Sequence, residues 1–382
     1  MRIERLELRV LRLPLVRFFE TSFGRIHDRT FLLVELEEDG AVGFGECVAD
    51  AAPFYSAETT TTAWHIITDF IAPRVLGRAF DHPEQLFDAL RGIRGHNMAK
   101  AAVEMAAWEL FARQQGVPLA RVLGGSRSRI DSGVSIGIQD GIDALLERVR
   151  VELAAGYRRI KIKIKPGWDL EPAERIRAAF GAIPLMVDAN AAYQLADAGH
   201  LQALDPFDLM MIEQPLDYDD IRDHAALQRQ IRTPICLDES IHSVAAARQA
   251  IETGACRIIN IKPGRLGGHG QAIRVHDLAA RHGIPVWHGG MLESGIGRAH
   301  NIHLSALPNF TMPGDVAASR RYYVPDLVDP PIEVDPDGTI AVPDAPGLGI
   351  RVDRDRIAAA CEKRSELRIN APFVGPCFES GV

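Results

Sequence analysis

The sequence predicts an α/β protein: a (β/α)7β barrel of TIM type, with an α+β capping domain built from the N-terminal region and the C-terminal segment. Three observations predict it. From about residue 130, short β-branched runs alternate with amphipathic helical stretches, and the alternation repeats every ~25 residues for at least six units. The 382 residues suit a barrel of ~250 residues plus an attached part. No GxGxxG follows the first run, which argues against a doubly wound dinucleotide-binding sheet.

Residues 1–128 read as the cap. Ile3, Leu6, Leu8, Val10 and Leu13 lead into the polar stretch Glu20-Thr21-Ser22-Phe23-Gly24, then come Thr30–Leu36, the turn Glu37–Gly40, and Gly43–Glu46. This is strand, mobile loop, strand, turn, strand. Helices follow at Ala57–Leu76, His82–Arg91 and Ala99–Gln115; in the last, Ala102, Met105, Ala106, Glu109 and Leu110 carry the i, i+3, i+4 pattern. Pro118 and Gly124-Gly125 close the segment. Residues 129–320 read as the barrel. Its strand runs are Val134–Ile138, Ile160–Ile164, Leu185–Asp188, Leu209–Glu213, Ile235–Asp238, Ile258–Lys262 and Pro285–His288. Between them lie helical patterns such as Ile142–Ala155, Glu171–Phe180, Ala192–Leu204, Ile221–Arg229, Ser243–Thr253 and Gly270–His282, so the strands are parallel with right-handed crossovers. Beyond residue 320 the repeat is lost. Residues 321–382 read as a return to the cap, with a loose tail after about residue 370.

Composition narrows the function. A net charge of −8 with no basic stripe argues against nucleic acid. No apolar run reaches ~18 residues, so no membrane span is expected. The N-terminus lacks the apolar core of a signal peptide, and the five cysteines are scattered and never in CxxC. The expected setting is therefore the reducing cytoplasm, with free thiols.

A barrel enzyme keeps its site at the C-terminal ends of its strands. Those ends carry Lys163, Asp188, Glu213, Asp238 and Lys262, spaced by 25, 25, 25 and 24 residues. One such residue is ordinarily a solvated loop position; five in register at the ends of apolar runs mark a site. Carboxylates on three neighbouring strands converge, which is costly unless a cation joins them. All-oxygen ligands select a hard cation, here Mg2+, with open positions for substrate. The lysines approach from opposite sides. Lys161 shares a face with Lys163 and can lower its pKa; Arg265 can do so for Lys262. Two bases flanking a metal-bound carboxylate define α-proton abstraction through an enediolate, ending in racemisation or in β-elimination.

Weaker signals surround this set. Gly133-Val134-Ser135-Ile136-Gly137 satisfies GxSxG, yet Ser135 lies within a strand and not at a nucleophile elbow; it is expected to point into the barrel mouth as a hydrogen-bond donor. Gly268-His269-Gly270 lacks the third glycine of a dinucleotide fingerprint. His288 ends the seventh run and can face the site. Gly289–Gly297, including Met291, Leu292 and Glu293, either offers backbone N–H groups to a substrate carboxylate or is a turn.

With these residues in place the sequence resembles the enolase superfamily, in its muconate-lactonising subgroup, whose mark is KxK, D, E, D and K at consecutive strand ends. Ile160–Lys163, Val187-Asp-Ala-Asn190, Ile212-Glu-Gln-Pro215, Pro234–Ser240, Asn260–Arg265 and Gly289–Glu293 look more narrowly like the N-succinylamino acid racemase / o-succinylbenzoate synthase family. The resemblance covers nearly the whole chain. It implies Lys163 and Lys262 as acid/base residues, Lys161 as an assisting charge, and Asp188, Glu213 and Asp238 as Mg2+ ligands. It places a succinyl tail under residues 19–27 with Tyr55 nearby; the full set of expected substrate contacts is Ser135, Asn190, Tyr55, Arg265, Met291, Leu292 and Glu293. It implies a small-molecule carboxylate substrate and a homo-oligomer, and either racemisation of N-acylated amino acids or the dehydration of the menaquinone pathway. Dipeptide epimerases of the subgroup carry Asp-x-Asp after the last strand; Asp315-Val316-Ala317 departs from that. A muconate cycloisomerase or another racemase or epimerase on the same machinery, and a non-catalytic barrel used for binding, are the alternatives.

Overall fold

The computed structural model of the chain describes residues 1–369; the tail expected after residue 370 lies outside the described residues. A four-stranded antiparallel sheet is built from β1 (Arg5–Thr21), β2 (Gly24–Glu38), β3 (Ala41–Cys47) and the C-terminal β13 (Cys361–Arg368), in the order β13-β1-β2-β3. Alternation sorts its faces. Leu6, Leu8, Leu32, Val34 and Leu36 are fully buried on one side. On the other, Glu7 stands opposite both Glu35 and Glu366, a like-charge arrangement that Arg5 and Arg364 neutralise at 2.5–2.6 Å. The helix Asn97–Gln114 lies against β3. Gly43 and Gly45 permit this, since a Cβ at either would run into the carbonyl of Ala106 or Ala102. That helix is buried nearly all round, not on one stripe. The expected helix at Ala57–Leu76 is broken into Thr60–Ile66, a π turn at Ile67–Ile71 and Ala72–Val75, because Pro73 brings no N–H.

The second unit is a parallel sheet of seven strands in strict chain order: β5 (Val134–Ile136), β6 (Ile160–Lys163), β7 (Leu185–Asp188), β8 (Ile212–Glu213), β9 (Ile235–Leu237), β10 (Ile258–Ile261) and β11 (Val286–His288). Helices separate successive strands, as the alternation predicts. Residues before β5 contribute β4 (Arg129–Asp131), paired antiparallel with β12 (Thr339–Ala341). Two details depart from the sequence reading. The run Leu209–Glu213 gives a strand of only two residues. The pattern Ala192–Leu204 gives a 3-10 turn and the short helix Ala198–Gln202, because positive φ at Asn190 (43°) and Ala191 (61°) delays the helical path. Residues after β11 lie between the sheet's two ends, with single parallel bridges from Phe310 to Val286 and from Gly314 to Ser132. Among the described residues no helix is long and apolar enough to cross a membrane.

The mobile loop expected at residues 19–27 is the tip of the β1–β2 hairpin. It is seated on the strand ends of the parallel sheet: Ile138 N donates to Glu20 O at 2.9 Å, Lys165 Nζ reaches Glu20 Oε1 at 3.2 Å, and Ser22 Oγ donates to Asn190 O at 3.2 Å.

Candidate active site

The register places the charged groups as the 25-residue spacing predicts. Lys163, Asp188 and Glu213 stand side by side on β6, β7 and β8; Asp238 directly follows β9 and Lys262 directly follows β10. All five are buried. Lys163 Nζ donates to Asp188 Oδ2 and to Asn190 Oδ1, both at 2.6 Å. Lys161, on the same face, reaches Asp315 Oδ2 at 2.6 Å, Glu213 Oε2 at 2.9 Å and Asp188 Oδ2 at 3.2 Å. On the other side Lys262 Nζ reaches Asp238 Oδ2 at 2.7 Å and donates to Tyr55 Oη at 3.1 Å, while Tyr55 donates to Asp238 Oδ1 at 3.0 Å. Arg265 pairs with Asp238 and donates to the carbonyls of Asn260 and Ile241.

A cavity of about 420 Å3 opens over these groups. Lys161, Lys163, Lys262, Ser135, Asn190, Tyr55, Met291, Leu292 and Glu293 line it; Arg265 does not, and acts from behind Asp238. The hairpin tip and the segment after β3 supply an apolar wall of Phe19, Phe23, Ile26 and Phe54.

The ionisation states follow from burial and pairing. Burial alone lowers Lys161, but Asp315, Glu213 and Asp188 outweigh it and hold the ammonium above the ordinary lysine range. Burial likewise lowers Lys262, yet Tyr55, Glu213 and Glu239 raise it more, so its net shift is upward. This corrects the expectation that Arg265 lowers Lys262: the guanidinium is spent on Asp238 and two carbonyls. Asp188 and Glu213 are adjacent carboxylates. Burial raises both, but Lys163 and Lys161 pull Asp188 well below the usual range, whereas Glu213, burdened by the Asp188 charge, stays raised.

The donor chemistry suits a hard divalent cation, since Asp188, Glu213 and Asp238 offer only oxygen. Glu239 adds a buried oxygen, Oε2, that no described residue bonds. The expected convergence is not preformed, however. Among the described residues no group of three His, Cys, Asp or Glu stands as a ready-made metal cluster, because the lysines lie on the carboxylates and Asp238 is turned to Lys262, Arg265 and Tyr55. To hold a cation, Asp188, Glu213 and Asp238 would give up these contacts and turn their oxygens toward it.

One weaker expectation is corrected. His288 does not face the cavity: Nδ1 contacts Gly289 O at 2.9 Å, the ring stacks on Phe310, and burial pushes its pKa down to about 3. The glycine-rich stretch spends several of its N–H groups on the protein itself. Glu46, at the end of β3, accepts from Ser294 N (3.1 Å), Ser294 Oγ (2.6 Å) and Gly297 N (3.2 Å); Asp326 accepts from Gly295 N at 2.8 Å. Glu293 Oε2 accepts from Met291 N at 2.9 Å, and Leu292 is held at φ 58° with its carbonyl accepting from Tyr323 Oη at 2.6 Å. The protein's own carboxylates thus fix the wall formed by Met291, Leu292 and Glu293.

Sequence reasoning missed four residues. Arg159 Nη1 reaches Asp315 Oδ1 at 2.7 Å, so Asp315 has both oxygens engaged. Asn260 Nδ2 donates to Glu213 Oε1 at 2.5 Å, and Asn190 Nδ2 donates to Glu239 Oε1 at 2.9 Å. Asn260 was accessible from the same-face spacing with Lys262. Glu239 was not, because alternation sends it away from Asp238 and only the end of β9 at Leu237 frees it to turn inward.

An antiparallel cap seated on a parallel αβ sheet, with lysines and carboxylates gathered at the strand ends under the cap, defines an enzyme class that works on the acidic C–H bond of carboxylates. The chain belongs to the enolase superfamily: residues 144–356 match the enolase C-terminal domain-like model, and residues 6–124 match the N-terminal domain of mandelate racemase / muconate lactonizing enzyme. It is 53% identical over 356 residues to an o-succinylbenzoate synthase of Geobacillus kaustophilus, covering 93% of this chain and 95% of that protein. It is 51% identical over 352 residues to an N-succinylamino acid racemase of Thermus thermophilus, covering 92% and 95%. A solved enolase-superfamily structure from Listeria innocua superposes with a TM-score of 0.93 at 40% identity, over 97% of this chain and 100% of that one.

Proposed function

We propose that this enzyme moves the α-proton of a small carboxylate substrate, as an N-succinyl- or other N-acylamino acid racemase, an o-succinylbenzoate synthase, or both. The observation that carries the reading is that Lys163 and Lys262 come from strands on either side of the carboxylates and line one cavity. One lysine removes the proton from one face of the α-carbon. The other either returns a proton to the opposite face or steadies the intermediate while the first lysine passes the abstracted proton to the β-hydroxyl, which leaves as water. Lys161 remains an ammonium, fixed by Asp315 and Glu213, and binds the substrate carboxylate by charge. The apolar wall of the hairpin tip excludes water from the reacting carbon.

Superfamily members use Mg2+, and we infer the same cation here, held by Asp188, Glu213 and Asp238. When bound it draws electron density from the substrate carboxylate and so acidifies the α-C–H. We also infer that the parallel sheet closes as a (β/α)7β barrel, since residues 310–315 bridge to both β11 and the entry to β5. Residues 129–320 would form that barrel, and 1–128 with the C-terminal return the cap. The engagement of both Asp315 oxygens leaves no free carboxylate there for a substrate ammonium, which favours acylated over free amines. The free thiols Cys47, Cys236, Cys256 and Cys361 fit the cytoplasmic setting expected above. A homo-oligomer is proposed on the resemblance alone and is read directly by light scattering.

The test is turnover of both substrate types by the Mg2+-loaded protein: racemisation of N-succinylamino acids followed by polarimetry, and dehydration of the cyclohexadiene carboxylate followed by absorbance. Activity on either supports the reading; inactivity on both overturns it.

A further inference from the structure

We propose that Glu239 is a positioning residue for Lys163, acting through Asn190; the inference rests on the two-base reading above. Glu239 is buried, and its Oε1 accepts from Asn190 Nδ2 at 2.9 Å. A carboxylate oxygen accepts, so this contact decides which end of the amide faces which way. Nδ2 is drawn to Glu239, and Oδ1 is thereby presented to Lys163 Nζ, 2.6 Å away. The rest of Asn190 is pinned as well. Its N–H donates to Asp188 Oδ1 at 3.0 Å, its carbonyl accepts from Ser22 of the hairpin tip, and its backbone holds φ 43°. Without Glu239, only the Lys163 ammonium itself selects Oδ1, and the amide loses the acceptor that anchors its NH2 end and holds Oδ1 in place.

The assignment is one-sided. Lys262 is placed by Asp238 and Tyr55 and makes no hydrogen bond to Glu239. The Glu239 charge does reach Lys262 through space, so a purely electrostatic role would affect both lysines. The asymmetry of the hydrogen bonds predicts that the two halves of the reaction respond differently.

The experiment is α-proton exchange in D2O by the Mg2+-loaded enzyme, with each enantiomer of an N-succinylamino acid supplied separately. Lys163→Ala and Lys262→Ala identify which enantiomer each lysine serves. Glu239→Gln is expected to slow exchange of the Lys163 enantiomer by about 10–100-fold, the cost of a displaced catalytic group, while the other enantiomer stays within about threefold of wild type. Asn190→Ala should strike the same enantiomer, and the double variant should be no slower than Asn190→Ala alone, since the two act in series. Mn2+ affinity, measured by titration, separates this role from a direct contact of Glu239 Oε2 with the cation: it should be unchanged in Glu239→Gln, and a loss of affinity would overturn the assignment. Asn190→Ala carries the same test should Glu239→Gln fail to fold. Equal loss for both enantiomers, loss confined to the Lys262 enantiomer, or no loss would each overturn the assignment. Lysine variants that do not divide the enantiomers would overturn the two-base reading itself; lysines that divide them while Glu239→Gln does not follow would overturn only this inference.

Discussion

Glu46 reaches from the cap into the start of the helix Gly295–Ser305 and is 2% exposed. Replacing it with Ala leaves the N–H of Ser294, the hydroxyl of Ser294 and the N–H of Gly297 without their acceptor. Each buried donor left unpaired costs ~1–3 kcal/mol, so with partial relaxation the variant should lose about 3–6 kcal/mol of stability. Glu46→Gln keeps the shape and one acceptor oxygen, and exposes a second effect. Burial, with the neighbouring Glu293 opposed by Arg29 and the Ser294 hydrogen bonds, pushes the Glu46 carboxyl from 4.5 up to about 7. Between those values the unfolded chain has released its proton and the folded protein has kept it. Stability therefore falls as pH rises through that window, by roughly 1.4 kcal/mol per unit and about 3 kcal/mol in all, and is flat above it. Glu46→Gln lacks this contribution. Urea denaturation of both proteins at several pH values from about 5 to about 8 reads it: the wild-type curve should fall more steeply than the Glu46→Gln curve up to about pH 7 and run parallel to it above. Parallel stability–pH curves across the range would refute the reasoning, because they would mean Glu46 ionises in the fold as it does in the open chain.

Other outcomes are expected. Glu213→Gln should abolish turnover and weaken Mn2+ binding while circular dichroism and the melting profile stay native-like. Phe23→Ala, at the hairpin tip, should raise KM by about tenfold while leaving the fold intact, as the loss of roughly 1–3 kcal/mol of apolar contact requires; steady-state kinetics decide it. Gly45→Ala should destabilise the protein by ~1–3 kcal/mol or more, because the added methyl meets the Ala102 carbonyl of the facing helix, and thermal denaturation reads that directly.

The strand-end register carried most of the site. Lys163, Asp188, Glu213, Asp238 and Lys262 were legible because a parallel sheet with similar crossovers repeats in sequence as it does in space. What was hidden depends on contacts between distant segments. Arg159 and Asp315 meet from positions 156 apart, and no period links them. Glu46 reads as an ordinary strand residue until the helix it caps, 248 residues later, is placed beside it. That Glu46 and Asp326 take up N–H groups of the glycine-rich stretch was hidden in the same way, since both carboxylates come from elsewhere in the chain. The upward shift of Lys262 is hidden for the same reason: Arg265 is near Lys262 in the chain, but its charge pairs with Asp238.

The cap sheet joins the two ends of the described chain, with β13 pairing along β1 from Arg5↔Arg368 to Leu11↔Cys361. During synthesis β1 and β2 emerge first, and 340 residues pass between Thr21 and Cys361. At ~5–20 residues per second that is roughly 20–70 s in which the β1 edge has no neighbour. An open edge invites pairing with other chains, and charged side chains are what discourage it. Arg5, Glu7 and Arg9 alternate along that edge, so the residues that later form the cap's ion-pair ladder also keep the nascent hairpin solitary until the last strand arrives.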